Sequence, residues 1–248
     1  MPSEKKMGAP SGERFATGIE GMDEMLNGGI PKDNQTILAG GPGSGKTLLC
    51  FEALYRNAKN GIPGAFISFE EPPKRVLANA KAAFTKFDDI QSLVDSNMLV
   101  IGGEDPATKI QSGMGPEAYP FGNVVSDMEE VIKTNDAKYI AIDSLSLLKL
   151  MLGDNLLYRK SMIALISNLR RLGVTSLLTV EVPSAERKDL RFSPEFFIFD
   201  GLITLYQTGE QDKRSLTLEI VKMRGTDHSR SLAPYDITDE GFNVLTAD

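Results

Sequence analysis

The chain has 248 residues, 41% of them hydrophobic and 25% charged, and 27 Lys+Arg against 34 Asp+Glu leave a net charge of −7. This is the make-up of an ordinary globular chain of one domain with modest additions. It excludes a membrane-spanning class, since no apolar run approaches the roughly 18 residues a span needs, and it argues against a broadly basic nucleic-acid-binding surface. The one cysteine, Cys50, has no internal partner, and a cytoplasmic location is expected.

Residues 1–13 are polar with no apolar centre, and read as a mobile tail rather than a signal peptide. Residues 14–248 read as one domain. Ile19, Met22, Met25 and Leu26 recur at helical spacing, and Gly28-Gly29 with Pro31 beyond ends that short helix. Thr36 to Ala39 is an apolar strand. A glycine-rich turn follows, and then a helix from near Gly45 to Asn60-Gly61. Ala65 to Phe69 reads as a buried strand with Glu70-Glu71 at its carboxyl end, and Pro72-Pro73 opens a helix over Lys74 to Phe87. Met98 to Ile101 is a further strand. Residues 102–122 hold five Gly and three Pro without period and read as a surface loop.

Asn123 to Thr134 reads as helix, Tyr139 to Ile142 as a strand ending at Asp143-Ser144, and Leu157 to Leu172 as a long amphipathic helix. Ser176 to Val180 is a strand ending at Glu181. A charged loop over 183–195 carries Arg187, Lys188 and Arg191. Alternation in the segments Asp200 to Tyr206 and Ser215 to Lys222 predicts a hairpin, with short strands near Tyr235 to Ile237 and Phe242 to Val244. The order predicts an α/β fold: a mostly parallel, helix-flanked sheet with a C-terminal antiparallel β extension. Ligands of such sheets sit at the carboxyl ends of the strands, where Glu70, Asp143 and the glycine-rich turn fall.

That turn reads Gly40-Gly41-Pro42-Gly43-Ser44-Gly45-Lys46-Thr47 and is followed by Leu48. It matches G-x-x-x-x-G-K-[ST] between a strand and a helix, the context the pattern needs. Glycines let successive N–H groups face one anion, and the helix start adds its positive end. Lys46 supplies an ammonium for outer phosphates and Thr47 a hydroxyl for Mg²⁺. A nucleoside triphosphate is the expected ligand. Asp143 stands where a second acidic group would hold Mg²⁺ through water. Glu70 and Glu71 are adjacent, so they point to opposite faces of an extended backbone. Glu70 reads as the base that orients water, and Glu71 as its helper or a metal-side partner. Both also suit a helix N-terminus for reasons of charge alone. Lys222 and Arg224 lie two apart at a strand end near Thr226 and the only histidine, His228. Residue types leave two readings open for them, a phosphate clamp or solvated strand-end charges.

Five ordered motifs carry a resemblance: TGIEGMDEMLNGGIP, GGPGSGKT, FISFEEPP, YIAIDS and KMRGTDHSR with ITDEG. They resemble the KaiC-like branch of the RecA-type P-loop ATPases, in a single-domain form of archaeal type, over about residues 14–245. The resemblance implies a RecA-type core and a hexameric homo-oligomer with ATP and Mg²⁺ between subunits. It implies nucleotide contacts at Gly41, Pro42, Gly43, Ser44, Gly45, Lys46, Thr47, Leu48 and Asp143. It implies metal support at Thr47, Glu71 and Asp143, and a base at Glu70. It further implies contacts from the neighbouring subunit at Lys222, Met223, Arg224, Thr226, His228 and Asp239, with Arg224 or Lys222 stabilising transition-state charge. Two-domain members of the family autophosphorylate an adjacent Ser-Thr pair, but here Phe196-Phe197 stand at those positions, so that activity is not implied. A regulatory ATPase ring read by a protein partner is the leading expectation. A single-stranded-DNA ATPase of the RecA/RadA kind and a barely hydrolysing ATP-binding scaffold are the alternatives.

Overall fold

The computed structural model describes residues 12–103, 121–183, 186–189, 193–210 and 213–246. The tail over 1–11, the core of the 102–122 loop and Arg191 lie outside these residues.

Strand β3 (Gln35–Gly40) is buried at every position, which is why its sequence shows an apolar run rather than alternation. It pairs in parallel with β7 (Thr175–Glu181) on one side and β8 (Gly201–Glu210) on the other. Beyond β7 the parallel order continues through β6 (Tyr139–Asp143), β4 (Gly64–Ser68) and β5 (Leu99–Gly102). Beyond β8 the sheet turns antiparallel through β9 (Lys213–Met223), β10 (Ala233–Thr238) and β11 (Gly241–Val244). Nine described strands thus form one sheet, and β1 (Arg14–Phe15) with β2 (Ile30–Pro31) makes a separate pair. This is the predicted fold class.

Successive β3 side chains feed two cores on opposite faces. Leu38 joins Leu49, Phe51 and Leu54 of α2 (Lys46–Lys59), together with Met22 of α1 (Glu20–Met25) and Ala80 of α3 (Pro73–Ala83). Ile37 and Ala39 join Met128 of α5 (Phe121–Thr134), Leu148 of α6 (Leu145–Leu152) and Met162, Leu165 and Leu169 of α7 (Asn155–Leu172). Helix α7 has sharp ends: the Asp154 carboxylate accepts from Leu157 N at 2.6 Å, and Gly173 closes the helix at φ 65°.

Two elements differ from the sequence reading. The helix expected to reach Phe87 stops at Ala83, and α4 (Ile90–Asp95) follows. Phe84 leaves the helical region at ψ 70° so that it can stack on Phe87 at 4.7 Å inside the core. Helix α6 was not anticipated, because its sequence LSLLKLML is apolar nearly all round and shows no 3.6 period. The hairpin strands also run longer than read, with β8 reaching Glu210 and β9 starting at Lys213.

Candidate nucleotide site

The glycine-rich loop leaves the carboxyl end of β3 and enters α2 without a side-chain cap; Gly45 stands at the N-cap at φ 89°. A Cβ at Gly45 would lie 2.5 Å from Ile237 Cδ1 and 2.9 Å from Phe242 Cζ, so those side chains would have to shift, and the dihedral itself favours glycine. The first N–H groups of α2 therefore have no side-chain acceptor at the N-cap, the arrangement of an anion site. Lys46 Nζ donates to Gly40 O and Gly41 O, each at 3.0 Å. Burial holds the Lys46 pKa below its ordinary value, against the opposing charges of Glu181, Asp143 and Glu70. Ser44 Oγ donates to Gly41 O at 2.9 Å. Leu48 packs against the core beneath, while Pro42 and Gly43 are exposed.

Thr47 and Asp143 meet directly: Thr47 Oγ1 donates to Asp143 Oδ2 at 2.8 Å. Thr179 of β7 donates to the other carboxylate oxygen. Asp143 is 4% exposed, and the hydrogen-bond partners of its carboxylate among the described residues are these two neutral hydroxyls. Burial raises its carboxyl pKa, the two hydroxyls oppose that, and the Glu70 charge adds to it. A buried carboxylate met only by neutral donors, with a threonine hydroxyl beside it, fits a hydrated divalent cation.

Glu70 and Glu71 diverge. Glu70 is exposed and accepts a hydrogen bond from the Ser144 hydroxyl, one residue past Asp143. Glu71 turns to α3, where Asn79 Nδ2 donates to it at 2.8 Å and Arg75 Nε lies at 3.3 Å. The structure thus joins Thr47, Asp143, Ser144 and Glu70 and sets the Glu71 carboxylate among α3 side chains. Among the described residues no group of three or more His, Cys, Asp or Glu could hold a metal ion.

The basic row lies at the other rim of the sheet. Met223 pairs with Gly201, and Gly201 with Thr36, so the end of β9 lies beside the start of β3. Roughly 17 Å of strand, at about 3.4 Å per residue, separates Gln35 from Gly40 and the loop. Lys222 Nζ donates to Phe199 O at 2.6 Å, and Arg224 Nη2 to Phe197 O at 3.0 Å, so both cations face one side. Asp200 lies 3.7 Å from Arg224 and also accepts from Arg170 at 2.7 Å. Met223 is buried under Asn34 and Thr36. Thr226 Oγ1 accepts from Arg14 at 2.7 Å, and His228 Nδ1 lies 2.9 Å from Ser229 O. Asp239 sits apart, in the β10–β11 turn, where its carboxylate accepts from Thr85 at 3.3 Å. Phe196 is buried and Phe197 is exposed.

Sequence reasoning missed Thr179, Ser144, Gln207 and Tyr235. Gln207 Nε2 donates to Pro42 O at 3.1 Å, and the Tyr235 hydroxyl to Ser44 O at 2.7 Å. Only Ser144 carried a signal, its place directly after Asp143. In the charged loop, Arg187 grips Glu219 with Nε at 3.0 Å and Nη2 at 2.7 Å, and Lys188 pairs with Glu186 at 2.8 Å.

A family model described as "ATPase: KaiC" matches residues 15–248. Among curated proteins, the circadian clock oscillator protein KaiC of Picosynechococcus sp. is 33% identical over 247 residues, covering 99% of this chain and 47% of that protein. KaiC 1 of Synechocystis sp. is 31% identical over 94% of this chain and 44% of its own length. KaiC of Synechococcus elongatus is 30% identical over 94% of this chain and 44% of its own length. The chain spans about half the length of the curated relatives it matches. With its phosphate loop, its buried Asp143 and the match over residues 15–248, this chain belongs to the KaiC ATPase family.

Proposed function

We propose that residues 14–248 act as one ATPase domain that binds Mg-ATP at the carboxyl rim of the sheet and hydrolyses it within a homo-oligomeric, hexameric ring. The observation that carries this reading is the separation of the two rims. Lys222 and Arg224 lie beside the start of β3 and the phosphate loop follows its end, and this separation supports a basic row that serves a neighbour's nucleotide rather than its own.

Gly41, Pro42, Gly43, Ser44, Gly45, Lys46, Thr47 and Leu48 form the phosphate cradle, with backbone N–H groups and the Lys46 ammonium as donors. Thr47 and Asp143 would hold Mg²⁺, which would neutralise developing phosphate charge, while Glu71, engaged by Asn79 and Arg75 of α3, would have to leave them to join the ion. Glu70 takes a water proton. Ser144 holds one carboxylate oxygen of Glu70, which leaves the other to orient the attacking water. From the next subunit, Arg224 and Lys222 stabilise the transferring phosphoryl group with Thr226 and His228 beside them, while the buried Met223 contributes through its backbone and Asp239, in the β10–β11 turn, reaches the nucleotide from a separate place. Phe196-Phe197 offer no hydroxyl, so the autophosphorylation of a Ser-Thr pair is not part of this reading. The ring serves as a regulatory switch, read by a protein partner in the cytoplasm.

The DNA-acting reading is weaker, because Arg187 and Lys188 each already hold a carboxylate of this chain. We expect no retention of single-stranded DNA at low salt, and retention in a filter-binding assay would reinstate that reading. The test of the ring reading is turnover per subunit at rising protein concentration, with mass by light scattering on the same samples. Turnover should rise as assemblies form. Equal turnover by monomers would overturn the shared site.

A further inference from the structure

A phosphate loop works only while its N–H groups face inward. The peptide unit is planar and trans, so the N–H of one residue and the C=O of the residue before it point opposite ways. Aiming the Gly43 N–H inward turns the Pro42 carbonyl outward, and aiming the Gly45 N–H inward turns the Ser44 carbonyl outward. Each of these two units ends on a glycine with positive φ, 73° at Gly43 and 89° at Gly45, where the peptide has no Cβ to fix it.

Both outward carbonyls meet donors from the far part of the sheet. Gln207 at the end of β8 donates to Pro42 O at 3.1 Å, and Tyr235 of β10 donates to Ser44 O at 2.7 Å. Tyr235 is 2% exposed, and burial raises its phenol pKa, so the hydroxyl keeps its proton. Its ring stacks on Phe242 at 5.6 Å. Phe242 N in turn donates to Glu52 Oε2 at 2.7 Å, and Glu52 is fully buried in α2 just behind the loop. The turn residue Gly241 lies against the same carboxylate: a Cβ there would fall 2.3 Å from Glu52 Oε1. The β10–β11 hairpin is therefore fixed to the loop's own helix while it holds the loop.

We propose that Tyr235 and Gln207 are positioning residues of the phosphate loop, each fixing one glycine-flanked peptide with its N–H toward the bound phosphates. The proposal rests on the reading of this loop as an ATP site.

The test is titration of the full chain with a fluorescent ADP analogue, ATP kinetics, and a melt without nucleotide. Tyr235→Phe should weaken ADP binding on the order of tenfold, since a buried carbonyl loses its donor. KM for ATP should rise in step while kcat at saturation stays within about twofold. Tyr55→Phe removes a hydroxyl from the other end of α2, where it bonds Asp89, and should lower the melting temperature without weakening ADP binding. Gln207→Ala, at a more open position, should weaken binding about threefold, and it serves if Tyr235→Phe does not fold. Unchanged ADP affinity in a folded Tyr235→Phe protein overturns the positioning role alone. Wild-type protein that binds no nucleotide overturns the ATP reading, and this role with it.

Discussion

At the carboxyl end of β3, Lys46, Thr47, Asp143 and Thr179 are tied to one another or to the loop, and Asp143 is 4% exposed. At the amino end, Lys222 and Arg224 reach mainly backbone carbonyls of residues 197 and 199, and the Arg224 side chain is 54% exposed. The first rim is organised within one chain, down to its hydroxyls. The second is half-finished: its cations are held in place, yet they still face water. A rim of the first kind can bind a ligand by itself, because the cost of ordering was met during folding. A rim of the second kind gains most when an anion covers it and dries the contact, since dry cover without a counter-charge only desolvates the cations.

That contrast can be broken in three ways. The largest effect is expected for Arg224→Ala, which should lower turnover on the order of 10³-fold or more and leave nucleotide affinity and assembly in place. Mixing it with Lys46→Ala sharpens the point. Each variant spoils a different rim, so mixed assemblies should recover turnover that neither has alone. Failure to recover, in samples shown by native mass spectrometry of differently tagged subunits to have mixed, would place both rims in service of one chain's own site. Next comes Glu70→Gln, with an expected loss in kcat of about 10²–10⁴-fold and unchanged ATP affinity. An unchanged rate would remove Glu70 from the reaction.

The smallest effect concerns the buried charge behind the closed rim. Burial raises the Glu52 carboxyl pKa, against the bonds from Phe242 N and Arg56. The folded protein then holds that proton more tightly than the unfolded chain does. Between the ordinary carboxylate value and the raised one, stability therefore falls as pH rises, and above that window the penalty is complete. Melting temperatures of wild type and Glu52→Gln should diverge across this window, with the shallower pH slope in the variant. Parallel slopes would mean that Glu52 titrates no differently when folded.

The closed rim was legible in sequence where chemistry demands fixed spacing. Lys46 and Thr47 follow four glycines, at 40, 41, 43 and 45, and Asp143 ends an apolar strand. The hydroxyl that completes it was not legible. Thr179 meets Asp143 across neighbouring strands, 36 residues apart, and no local period links them. Strand order is a property of packing, so contacts of this kind stay hidden until the sheet is assembled. Glu70 and Glu71 were separable only in part: alternation says they diverge, but the partners of Glu71 on α3 depend on how that helix docks. The open rim was least legible. Two cations two residues apart describe many strand ends, and what distinguishes Lys222 and Arg224 is the register of β9 against β8 and β3. The α6 helix and the break at Phe84 were missed because core packing overrode local pattern.

The bonds from Tyr235 to Ser44 and from Phe242 to Glu52 span 191 and 190 residues. A ribosome therefore makes the phosphate loop long before it makes the groups that brace it. Until β10 and β11 emerge, the growing chain carries the loop, with Glu52 behind it, and lacks the hairpin that fixes both. Nucleotide capture should then wait for the emergence of β10 and β11 rather than of the loop itself. A nascent chain halted before β10 has emerged would carry the whole glycine-rich motif and still be a poor binder.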